Sequence, residues 1–129
     1  MKTQSAWVAR RFFLATALFL LAGPMGCGRN EAPSPVEAAQ IPAVLRETFQ
    51  SAKQPVTGLV TDLVDAVEAK DWPKASVAAQ ALSKTTTLTT KQRDMLARCL
   101  ITINTQVTEA ASTGNPEAEE VHRMIRLDK

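Results

Sequence analysis

Val56, Thr57, Gly58, Leu59, Val60, Thr61, Asp62, Leu63, Val64, Asp65, Ala66, Val67 is the stretch that decides the fold. Its apolar residues Val56, Leu59, Val60, Leu63, Val64 and Val67 follow one another at steps of three, one, three, one and three, which places all six on one stripe of a helix with 3.6 residues per turn. A strand would need strict alternation, and there is none. Working outward, Pro55 closes off a shorter helical pattern built on Leu45, Phe49 and Ala52. Downstream, Asp71 is a capping residue and Pro73 suits the first turn of a helix whose inner face is Ala75, Ala78 and Leu82. Thr89 and Gln92 stand at capping-box spacing, and the segment they open carries Leu96, Leu100, Ile103, Val107 and Ala110 on one face. Residues 101–108 also alternate as a strand would, with β-branched Ile101, Ile103, Thr105 and Val107. The four-residue steps continue on both sides of that stretch and favour the helix. Gly114 ends this element, and Asn115 with Pro116 starts a last helix carrying Ala118, Val121 and Ile125. The expectation is an all-α fold, a small bundle of four or five helices over residues 41–129. The Thr-rich run from Thr85 to Thr90 is expected to be a connecting loop.

The first 26 residues differ in kind. Lys2, Arg10 and Arg11 make a positive start, and Phe12 to Ala22 is an uncharged apolar run followed by Gly23 and Pro24, the layout of a cleavable export signal. A membrane-spanning helix needs roughly 20 apolar residues, and this run stops short at helix breakers. Residues 27–40 hold Gly28, Pro33, Ser34 and Pro35 without apolar periodicity, and read as a flexible linker reaching roughly 20 to 40 Å, or as an N-terminus of no special use. The whole chain carries a formal charge of +2, but removal of Lys2, Arg10 and Arg11 leaves twelve basic against thirteen acidic residues, a net −1. Past the signal the only aromatics are Phe49 and Trp72, and no run of Lys and Arg stands out along the sequence. Nucleic-acid binding, which rests on phosphate neutralisation and base stacking, is not expected.

Leu21, Ala22, Gly23, Pro24, Met25, Gly26, Cys27 resembles the signal end of bacterial lipoproteins, in which a small residue precedes the lipid-bearing Cys. Gly26 and Cys27 match; Pro24 and Met25 stand where that family has an aliphatic and a small residue. The resemblance implies cleavage between Gly26 and Cys27 and lipid attachment at Cys27. A second acyl chain makes such anchoring effectively stable. Gly28 occupies the position where Asp commonly retains the family at the inner membrane, which implies a periplasm-facing place on an outer membrane. Ordinary secretion, after Ala22 or Gly26, is the alternative, and would leave Cys27 free to pair with Cys99 in an oxidising envelope. Within the helical part, residues 71–82 resemble the second helix of a tetratricopeptide unit, and the junctions around Pro73 and Pro116 lie 43 residues apart. That spacing suits either two stacked helix-turn-helix units or a plain bundle.

Chemistry-bearing residues are few. Cys99 and His122 are the one pair that could act as nucleophile and base. Cys99 falls beside the apolar face between Leu96 and Leu100, where an unpaired Cys behaves as a small hydrophobe, and no oxyanion-hole or third orienting residue accompanies the pair. Catalytic residues, cofactors and metals are therefore not expected, a zinc site needing three or four ligands. Glu117, Glu119 and Glu120 complement the helix dipole at the start of the last helix. Trp72 is either a packed anchor at a helix junction or an exposed contact for a partner. The sequence points to a membrane-tethered, non-catalytic helical module that binds another protein, with a spacer or assembly lipoprotein, or a freely secreted helical protein, as the alternatives.

Overall fold

Prolines, capping side chains and two left-handed residues divide the chain into its elements. Residues 32–127 are described by this computed structural model, and they form a compact unit with a core drawn from Val36 to Val121. The expected signal peptide, Gly26, Cys27 and the first residues of the linker lie outside the described residues. A 3-10 turn, Ala38–Gln40, leads into α1 (Ile41–Thr48), α2 (Val56–Glu68), α3 (Trp72–Ser83), α4 (Thr90–Ser112) and α5 (Pro116–Leu127). Among the described residues there is no strand, and no helix is long and apolar enough to cross a membrane. The fold is a small all-helical bundle. α3 is its hub, packed against α2, α4 and α5, while α1 lies against both α2 and α4.

Small side chains allow α3 this central place. Ala75, Ser76 and Ala79 are fully buried with Leu82, so three helix axes approach closely. Ala78, expected on the inner face, sits one step to the side and is half-buried. The buried Ser76 hydroxyl accepts a hydrogen bond from Gln80 Nε2 at 3.3 Å. α2 buries Val56, Val60, Leu63, Val64, Ala66 and Val67, with Leu59 at the edge of the stripe.

α1 is shorter than the spacing of Leu45, Phe49 and Ala52 predicts. The helix stops at Thr48, and the Ala52 N–H donates to Phe49 O at 2.9 Å in a turn that keeps Phe49 only 4% exposed. Phe49 is thus a core residue that caps the helix rather than extending it. In α4 the capping box forms as expected, the Gln92 N–H donating to Thr89 Oγ1 at 3.2 Å and the Thr89 N–H to Gln92 Oε1 at 3.0 Å. Residues 101–108 are helical. The β-branched alternative loses because Thr105 and Thr108 donate their hydroxyls back to Ile101 O and Asn104 O, while Ile103 and Val107 are fully buried. In the Thr-rich loop, Leu88 is 3% exposed, and Arg93 clamps its carbonyl from Nε at 3.2 Å and Nη2 at 2.8 Å.

The turns after α2 and α4 share one construction. Lys70 (φ 56) and Gly114 (φ 86) adopt left-handed conformations, Asp71 and Asn115 send their N–H groups back to Ala66 O and Ala110 O, and both then cap the next helix. The Lys74 N–H donates to Asp71 Oδ1 at 3.2 Å and the Ala118 N–H to Asn115 Oδ1 at 3.0 Å. Each turn is a Schellman ending fused to an N-cap, which sets two antiparallel helical hairpins. The caps stand 44 residues apart and the prolines 43, because Trp72 is inserted between Asp71 and Pro73.

The segment expected to be flexible linker up to residue 40 is docked instead. Arg98 Nε donates to Ser34 O at 2.8 Å, the Thr102 hydroxyl donates to Val36 O, and Val36 is 5% exposed. The register explains the fit: two extended residues advance about 6.6 Å, close to the roughly 6 Å that four residues advance along a helix. Ser34 and Val36 therefore meet Arg98 and Thr102, one turn apart on α4. A single apolar residue among prolines and alanines carries no periodic signal, which is why this docking is invisible in the sequence pattern.

Candidate functional site

Trp72 opens α3 directly after the Asp71 cap, and this position fixes what the indole can reach. It is half-buried, packs against the core, and forms one wall of a groove of about 670 Å³ with Val67, Pro42, Ala43, Ala38 and Ala39. The 3-10 turn and α1 contribute only alanines and a proline to its apolar lining. Its rim is charged: Arg46 Nη2 meets Glu68 Oε1 at 2.6 Å across α1 and α2, and Lys70 and Gln106 complete the border. Arg46 and Glu68 remain about half exposed, so the pair contributes little to stability and its role here is to frame the opening. The sequence singled out Trp72 alone. The alanines of the 3-10 turn and α1 were masked by their resemblance to linker composition, although a row of small residues beside a lone Trp is the one signal that could have located the groove.

Cys99 and His122 do not share a site. Cys99 is fully buried in the core face of α4. Burial pushes its thiol up from the ordinary 9.0 to about 11, with the Arg98 cation pulling slightly the other way. His122 lines a different groove, of about 660 Å³, with Thr108, Ala111, Glu119, Arg123 and Arg126. Thr108 stands nine residues beyond Cys99, about 13 Å along the axis of α4. Glu117 and Glu119 occupy the first turn of α5, and no group of three or more His, Cys, Asp or Glu side chains with metal-holding geometry is present among the described residues. A third hollow, of about 460 Å³, lies where α5 ends against Gln80, Leu100 and Asn104; the Asn104 Oδ1 there is buried without a hydrogen-bond partner.

No protein-family model matches the chain, and neither the curated proteins nor the solved structures contain a significant match to it.

Proposed function

We propose that this chain is a lipid-tethered protein of the cell envelope, held by Cys27, whose helical domain binds a segment of another protein in the Trp72 groove. The observation that carries the binding half is the groove itself: a large aromatic left half-buried at a helix start, facing small apolar side chains, inside a rim of opposite charges. Such a hollow suits one apolar or aromatic side chain presented by an extended or helical segment, with the Arg46 and Glu68 charges available to its flanking polar groups. The tethering half rests on the lipoprotein-like signal end at Gly26 and Cys27.

Two measurements test it. The intact mass of the protein extracted by detergent from the membrane fraction should equal residues 27–129 plus a diacylglyceryl group and an acyl chain; an unmodified mass in the soluble fraction overturns the tether. Cross-linking in the native membrane should capture a discrete protein, and Trp72→Ala should weaken that capture by at least tenfold while the helical circular-dichroism signal persists. Capture that survives Trp72→Ala would reject the groove, and a domain that captures nothing would favour the spacer reading.

A further inference from the structure

α5 turns one side to the core and the other to solvent. Ala118 and Val121 are buried and Ile125 packs beside them, at steps of three and four. Pro116, Glu120, Arg123 and Leu127 follow at steps of four, three and four on the opposite stripe, and all four are exposed. Leu127, at 80%, is the most exposed of the large apolar side chains described. At the other end of the helix, Pro116, Glu119, Glu120 and Arg123 border a hollow of about 360 Å³. Positions i, i+3, i+4 and i+7 of one helix are the four that make the hole into which a side chain of a facing helix inserts. One helix thus carries a hole at its start and an apolar knob at its end.

The charges follow the same division. Glu119 and Glu120 border the hole, while Arg123 and Arg126 lie toward the knob. None of the four is in an ion pair, since Arg46 with Glu68 is the one ion pair among the described residues. The helix dipole accounts for Glu117 and Glu119 in the first turn and for Arg126 in the last. Its effect fades within a turn, so it does not account for Glu120 and Arg123, which stand between them on the outward stripe.

We propose that this face of α5 is the docking surface for a second copy of the chain, the two α5 helices packing antiparallel about a two-fold axis. An isologous contact requires each protomer to offer both halves, and a hole and a knob on one stripe meet that requirement. With the partner's Leu127 level with Glu119 and Glu120, the partner's Arg126 stands level with Glu120, by helix geometry. The two Arg123 side chains then come nearest the axis, each about a turn from the carboxylates of the other copy. Parallel packing would set Glu against Glu and leave both holes empty. One helix from each copy makes a contact at the low end of interface sizes, with a dissociation constant of roughly 1 to 100 µM. The surface shares no residue with the Trp72 groove, and the proposal stands whether or not the chain is tethered.

The test is sedimentation equilibrium of residues 32–129, the compact unit that holds the complete core, which should show a monomer–dimer equilibrium. Leu127→Asp should weaken association at least tenfold, and about 500 mM salt should weaken it several-fold. Glu119→Arg with Glu120→Arg should remain monomeric alone, and so should Arg123→Glu with Arg126→Glu. Mixed together, these two double variants should form a dimer, because each then meets opposite charges. Asp62→Arg, a charge reversal on α2, should leave association within twofold. Every substituted side chain is exposed, so the helical circular-dichroism signal should persist throughout. A chain that stays monomeric up to about 500 µM overturns the proposal. So does a dimer that survives Leu127→Asp, that is lost equally with Asp62→Arg, or that fails to re-form between the two double variants.

Discussion

Cys99 shows how a reactive residue type is made inert by its surroundings. Its thiol is sealed in the core, and burial raises its pKa to about 11. The unfolded chain ionises near the ordinary 9.0, so thiol-linked stability is fully present below that pH and is lost as pH rises toward about 11, where ionisation favours unfolding. Native protein at pH 8 should react with iodoacetamide far more slowly than protein in denaturant, and Cys99→Ala should flatten the pH dependence of urea unfolding between pH 9 and 11. Alkylation of the native thiol at the rate of an unstructured peptide would contradict its place in the core. Asn104 is the opposite case, a buried acceptor left without a donor, at the hollow beneath the end of α5.

The two hairpin turns are the elements that set the bundle's geometry, and their caps should be measurable one at a time. Asp71→Ala and Asn115→Ala should each cost about 1 kcal/mol in chemical denaturation, since each removes a side-chain acceptor from the first turn of a helix and leaves the Schellman bonds of the preceding helix in place. These junctions were legible in advance: Asp71 before Pro73, Gly114 before Asn115 and Pro116, and Thr89 before Gln92 are local signals acting over a few residues. So was the stripe of α2, where six apolar positions leave no competing period. The length of α1 was not, because Phe49 and Ala52 keep a helical spacing while their backbone makes a turn. The docked segment from Ser34 to Gln40 was not either, since its contacts are with residues more than sixty positions away. Of the groove, only Trp72 was visible; the alanines facing it acquire meaning once the 3-10 turn and α1 bring them opposite the indole.

At the scale of the molecule, the segment before α1 is part of the fold. A chain beginning at Ile41 should be less stable than one beginning at Ala32 by about 2 kcal/mol in urea unfolding, from the lost burial of Val36 and the two side-chain bonds to its backbone, offset in part by the entropy of ordering the segment. Equal stability would mean that the docking is incidental. The same segment has a mechanical consequence. Because Ser34 to Val36 runs alongside α4 in the same chain direction, a pull applied along the helix axis strains the Ser34 and Val36 attachments together in shear instead of peeling them one after the other. Tension applied to this segment passes to the longest helix of the bundle before it reaches α1.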